Sequence, residues 1–173
     1  MGIVLELDRA AAYLEKGKLE QAVWEAARIC RALYEREDPD RVLGWRTEEG
    51  AVCQLAEMRA KAEEIEQDGD VLVIVGVGGS NQAARAVIEA LPRKKGPKIV
   101  YLGNTLSPYT IDRTLKELEG KSVYIDVIAK NFETLEPGSH FRILRQWMGK
   151  RYSKEKKKKR IIVTGTEKSR LEE

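Results

Sequence analysis

Two segments of this chain combine residue types at spacings that suit an anion. Gly76-Val77-Gly78-Gly79-Ser80-Asn81 sets three glycines and a serine directly after a β-branched apolar run. Glycine lets backbone N–H groups turn toward a ligand, and the helix that follows presents its positive end. The Ser80 hydroxyl either caps that helix, making the loop a plain tight turn, or donates to a phosphate. Ala129-Lys130-Asn131-Phe132-Glu133-Thr134-Leu135-Glu136-Pro137 places a cation, an amide and a hydroxyl ahead of another helix start. Gly78, Gly79, Ser80, Lys130, Asn131 and Thr134 are therefore the candidate phosphate donors. A further loop, Gly103-Asn104-Thr105-Leu106-Ser107-Pro108, has a structural reading, with Ser107 as N-cap and Pro108 at the first helical position. Asn104 and Thr105 are left as lip residues.

Spacing narrows the anion. A P-loop needs GxxxxGK[ST], and neither that spacing nor the lysine is present. A dinucleotide fingerprint needs GxGxxG, and counted from Gly76 its third glycine falls at Asn81. A small phosphate ligand fits better than a nucleotide. His140 is the sole histidine, with no HxxE or HxxxH spacing, so it is expected to pack or sit on a helix face. No metal and no cofactor are expected. Cys30 and Cys53 lack a CxxC partner and suggest a reducing compartment.

The elements that carry these loops follow from hydrophobic periodicity. Residues 71–77 are continuously apolar and β-branched, the mark of a strand buried on both faces. Strand and helix then alternate: helix 81–91, strand 99–103, helix 108–118, strand 123–129, helix 136–152 and strand 161–165. The pattern predicts an α/β fold, a doubly wound and mainly parallel sheet flanked by helices, whose ligands bind beyond the carboxyl ends of the strands. Ahead of it, residues 5–34 carry apolar residues at helical intervals broken at Gly17, which predicts two helices. Residues 35–40 form a charged turn with Pro39. Val42 to Trp45 make a short apolar touch-down, and 51–67 return to helix with Val52, Leu55, Met58, Ala62 and Ile65 on one face. Trp24, Trp45 and Trp147 read as core or interface.

The whole is 173 residues, with 42% hydrophobic residues and a net charge of +3, which suits a globular domain with a real core. No apolar run approaches the roughly 18 residues of a membrane span, and residues 1–8 lack a signal-peptide pattern, so a cytoplasmic location is expected. Charge is uneven: residues 150–160 hold eight basic residues and one acidic. That run reads as a solvated helix end and turn, where cations suit the exposed carbonyls. Tyr152 is its one aromatic, which disfavours a nucleic acid partner. Residues 166–173 open a further helix, so a truncated or excised chain is expected.

Several motifs in order resemble a known family. Val75-Gly76-Val77-Gly78-Gly79-Ser80, the helix Ala84 to Leu91, Tyr101-Leu102-Gly103-Asn104-Thr105-Leu106-Ser107, Ile128 to Pro137, and Arg160-Ile161-Ile162-Val163-Thr164 are similar to landmarks of the first sugar isomerase (SIS) domain of bacterial glucose-6-phosphate isomerase. Leu43-Gly44-Trp45 also sits where that family carries a similar element, and the resemblance covers at least residues 42–168. It implies an N-terminal helical extension over residues 1–41 and an SIS-like sugar-phosphate-binding domain over 42–173. It further implies interconversion of glucose 6-phosphate and fructose 6-phosphate in the complete enzyme, without a metal, through ring opening and a cis-enediol. Ser80 matches the serine of the family's first phosphate loop, while Lys130 and Thr134 match its second, commonly SKTFTT or SKSGTT.

The chain departs from that pattern in places. Ala129 and Asn131 replace hydroxyl residues, Glu133 stands at a usual threonine, and Gln82-Ala83 replaces Leu-Gly. The family's catalytic carboxylate, histidine, lysine and arginine come from a later SIS domain, so no catalytic residue is expected here. Glu133 and Glu136 read as caps or surface charges rather than a base. The alternative is a folded scaffold with a degraded phosphate site. Its apolar helix faces would find a partner, so a homodimer is an expectation of that reading.

Overall fold

The computed structural model describes residues 9, 12–35, 49–91, 95–129 and 134–165. They divide into two compact units, residues 1–55 and 56–173, each considered by itself. In the first unit, α1 (Lys18–Tyr34) starts after Gly17, whose φ of +84° suits glycine, and buries no residue. Val23 and Ile29 stand open along its apolar stripe, and Trp24, read above as core or interface, is 75% exposed. Of the helix expected before Gly17, residues 12–16 form turns and a bend rather than helix, while residues 5–8, 10 and 11 lie outside the described residues, as do the 36–40 turn, Trp45 and residues 166–173. A short α2 (Glu49–Val52) precedes α3 (Leu55–Asp68). The single helix expected over 51–67 is thus interrupted at Cys53 and Gln54, where the Gln54 amide turns back to the Ala51 carbonyl at 3.2 Å. Of its expected apolar face only Ile65 is buried, and Val52, Leu55 and Met58 are exposed.

The second unit is built on a four-stranded sheet of β1 (Val71–Val75), β2 (Lys98–Leu102), β3 (Val123–Ile128) and β4 (Ile161–Thr164). Its order is β2-β1-β3-β4 and every pairing is parallel. The α/β expectation is met, with strand bounds shifted by a residue or two. α4 (Gly79–Ala90), α5 (Pro108–Glu117), α6 (Leu135–Arg151) and α7 (Lys154–Arg160) connect and flank the strands.

Alternation along the strands sorts the helices into two layers. Val71, Val73 and Val75 join Val123, Ile125 and Val127 on one face, covered by Ile111 and Leu118 from the α5 segment and by Phe141, Leu144 and Met148 of α6. This layer is the centre of the core, for these six valine and isoleucine side chains are fully buried. The opposite face receives α3, where the Tyr124 hydroxyl meets Glu64 and Asp68, and α4, where Arg85 lies 5.4 Å from the Tyr101 ring centre.

The basic run is not the plain helix end and turn expected of it. α6 stops at Arg151, Ser153 caps a new helix by accepting from the Lys156 amide, and α7 carries Lys154 to Lys159 toward solvent. Its last residue, Arg160, turns inward and is 2% exposed. The guanidinium lies 4.4 Å from the Tyr124 ring and 5.0 Å from the Tyr152 ring. It donates to Asp68, to Ser122 Oγ at 2.9 Å and to the Val123 carbonyl at 3.3 Å.

Candidate functional site

The strand order decides which loops can meet. From β1 the chain moves to β2 on one side, then crosses back to β3 on the other, so the connections reverse direction between β1 and β3. That is where a parallel sheet opens a crevice beyond its carboxyl ends. Val75 is in register with Val127, so the strand ends from which the two loops leave, at Gly76 and at Ala129, lie side by side. A Cβ added to Gly76 would lie 3.2 Å from the Ile128 carbonyl oxygen, which shows how close the two strand ends run.

Gly78 closes the first loop with φ +59° and ψ −130°, a combination open to glycine, and serves as the N-cap of α4. Ser80 is not the cap that its type suggests. It lies inside the first turn and its hydroxyl makes no capping bond. The Asn81 and Gln82 amides return to the Gly78 carbonyl at 3.1 and 2.9 Å, while among the described residues the Gly79 and Ser80 amides donate to nothing. Two N–H groups and a hydroxyl are thus left at the positive end of a twelve-residue helix. Thr134 is the N-cap of α6, again without a side-chain capping bond, and it is exposed. Lys130 and Asn131, with Glu133, lie outside the described residues.

Gly103-Asn104-Thr105 rises beside the first loop from β2. Gly103 holds φ +98°, and a Cβ there would stand 2.9 Å from the backbone N and O of Gly76. Ser107 occupies the N-cap position of α5 with Pro108 next, as expected, but the Ser107 amide donates to Thr105 Oγ1 at 3.1 Å rather than the serine capping the helix. His140 packs as expected, and it also accepts the Gly103 N–H on Nδ1 at 3.1 Å. Burial lowers its pKa, so the imidazole is neutral at pH 7 with its proton on Nε2. Asn81, which the sequence pattern marked only as a missing glycine, is 1% exposed and donates from Nδ2 to the Gly76 and Leu102 carbonyls.

Among the described residues, no three His, Cys, Asp or Glu are placed to hold a metal, and no helix is long and apolar enough to cross a membrane. An open depression of about 510 Å³ lies at the opposite end of the sheet, beside the start of β2, lined by Ile88, Glu89, Lys95, Pro97 and Ile99. It shares no residue with the crevice.

A family model described as phosphoglucose isomerase matches residues 47–173. The chain belongs to the phosphoglucose isomerase family. Glucose-6-phosphate isomerase of Clostridium perfringens is 40% identical over 121 residues, covering 64% of this chain and 27% of that protein. The isomerase of Symbiobacterium thermophilum is 38% identical over 154 residues, covering 81% of this chain and 34% of its own length. The chain therefore spans about a third or less of the relatives it matches. A solved hypothetical protein of Thermus thermophilus superposes with a TM-score of 0.71 at 25% identity, over 86% of this chain and 35% of the other. A glucose-6-phosphate isomerase from Chlamydia trachomatis gives 0.57 at 21% identity over 69% and 23%, a likeness of fold.

Proposed function

We propose that the chain is the sugar-phosphate-binding part of a glucose-6-phosphate isomerase, a protein that interconverts glucose 6-phosphate and fructose 6-phosphate when complete. The observation that carries this reading is the pair of helix starts at the β1–β3 switch point, one of them with uncommitted Gly79 and Ser80 amides. A phosphate dianion is the ligand that best uses several N–H and O–H donors at positive helix ends. Gly78, Gly79, Ser80 and Thr134 hold it together with Lys130 and Asn131. The domain runs over residues 42–173, behind a helical extension over 1–41, and works in the cytoplasm. Turnover needs a base positioned beside the sugar carbonyl, which the family resemblance assigns to a later domain. On this reading the chain binds without catalysing.

The test is a titration of fructose 6-phosphate read by amide NMR. Shifts confined to Gly78, Gly79, Ser80 and Thr134, weakened about ten-fold or more in Ser80→Ala, are expected. Silence at millimolar ligand refutes the reading. A second reading, a self-associating scaffold with a degraded site, is favoured by one feature: Val23, Trp24 and Ile29 of α1 are exposed at 59%, 75% and 46%. Light scattering that stays monomeric across concentration excludes it.

A further inference from the structure

The peptide group joining Leu102 to Gly103 is held from three directions. Its carbonyl accepts from the Gly76 amide at 3.0 Å and from Asn81 Nδ2 at 3.4 Å. Its N–H donates to His140 Nδ1 at 3.1 Å. Asn81 belongs to the first turn of α4, just after the first glycine loop, and its Nδ2 also reaches the Gly76 carbonyl at 3.2 Å. His140 belongs to α6, just after the loop that follows β3. The helices behind the two anion loops, which cover opposite faces of the sheet, thus send one buried polar side chain each to a single peptide plane.

We propose that this peptide is the joint that sets the two loops relative to each other, and that Asn81 and His140 are positioning residues acting through it without touching the ligand. The inference deepens the phosphate-site reading and rests on it for its effect on binding. Exposure at 1% and 2% keeps both side chains away from any ligand. The orientation of the Asn81 amide is fixed, because a flip would turn its oxygen toward two carbonyl oxygens. Its Oδ1 is then buried with no partner among the described residues. A side chain with one half unsatisfied is unfavourable for folding alone, so its contribution lies in what the Nδ2 donor holds in place. His140 complements it, since a neutral imidazole is needed to accept on Nδ1. Gly103 completes the joint: a Cβ added there would stand 2.9 Å from Gly76 backbone atoms, so backbone meets backbone with no side chain between, and such a contact transmits a displacement that a flexible side chain would absorb.

The test uses Asn81→Leu, His140→Phe, their double variant, and His140→Gln, whose Oε1 can accept from Gly103. Circular dichroism establishes folding, and Asn81→Ser takes the place of Asn81→Leu should the latter unfold. In ligand-free protein, amide NMR is expected to show that His140→Phe moves the Gly78 and Gly79 resonances and that the Asn81 variant moves Thr134. Fructose 6-phosphate affinity should fall at least ten-fold in each single variant, with the double no weaker than the weaker single, and His140→Gln should recover part of the loss. Resonance changes confined to each variant's own loop, or losses that simply multiply in the double, overturn the joint. Absence of fructose 6-phosphate binding by the unaltered chain overturns the functional reading alone, because the cross-loop shifts are read without ligand.

Discussion

Arg160 offers the sharpest quantitative test, because its type and its surroundings give opposite expectations. As the last of eight basic residues in 150–160 it should be replaceable at no cost. In the structure it is 2% exposed and holds Asp68, Ser122 Oγ and the Val123 carbonyl while stacking against Tyr124 and Tyr152. Removing one partner of a buried ion pair costs about 3–5 kcal/mol when it strands a buried charge. Here the stranded group is Asp68, whose side chain is 55% exposed and regains water, so the lower part of that range applies. The two ring contacts add about 0.5–2 kcal/mol each, and the Val123 carbonyl loses a partner. Against these stands the relief of a desolvated guanidinium. Arg160→Ala should therefore destabilise the chain by about 2–4 kcal/mol. Arg160→Met, whose apolar stem still fills the gap between the rings, should lose about half as much. Lys158→Ala, exposed in the same helix, should stay within about 0.5 kcal/mol. Urea unfolding reads the difference: with a slope of about 1–3 kcal/mol per molar, a loss of about 3 kcal/mol moves the midpoint by roughly 1–3 M. Equal midpoints for Arg160→Ala and Lys158→Ala refute the argument, and the run is then a solvated helix end throughout.

Two further changes test the backbone and the charge. Gly103→Ala forces a Cβ to within 2.9 Å of Gly76 backbone atoms at φ +98°, and should cost more than about 2 kcal/mol in urea unfolding, whereas Gly79→Ala, with open space around its Cα, should be within about 1 kcal/mol of the unaltered chain. Asp126 accepts a hydrogen bond from Thr164 Oγ1 at 3.0 Å, and burial raises its pKa against the opposing effect of that bond. A carboxyl whose folded-state pKa is raised binds more protons folded than unfolded, so stability falls as pH rises through that range from about 3.8 upward. Asp126→Asn should accordingly raise the urea midpoint at pH 7 and lose that advantage near pH 4; a gain that does not change between the two would contradict it.

How much of this was legible follows from what each signal measures. Residues 71–77 read as a doubly buried strand because burial on both faces removes the polar alternation; Val71, Val73, Ile74 and Val75 are buried, but the strand ends at Val75 and Val77 is exposed. The interruption at Cys53 and Gln54 was not legible, because Val52, Leu55 and Met58 keep a helical period across it. Residue types set the first and third strand-to-helix loops apart from the second, and the family resemblance paired them, but their nearness was not legible: the order β2-β1-β3-β4 is what sets β1 beside β3 at the switch point. Ser80 looked like a cap because serine is favoured where helices begin; Gly78, with φ +59°, took that position two residues ahead of the hydroxyl.

The residues whose bonding the sequence left unassigned lie at the two ends of the sheet, which explains why. Asn81 and His140 meet Leu102 and Gly103 at the carboxyl end of the sheet, and Arg160 meets Ser122 and Val123 at its amino end. At both ends the ladder runs out, so backbone N–H and C=O groups that are still buried need partners from elsewhere. Apolar side chains cannot supply them. A polar or charged side chain must come in from a flanking helix, and it is buried for that reason, against the tendency of its type. Periodicity arguments count apolar residues and so locate the middle of a sheet well, while the groups that fix its ends carry no period at all. Ser153 ahead of a polar run was the one available hint, since an N-cap announces a helix whose purpose is not an apolar face. For α7 that purpose is the delivery of Arg160.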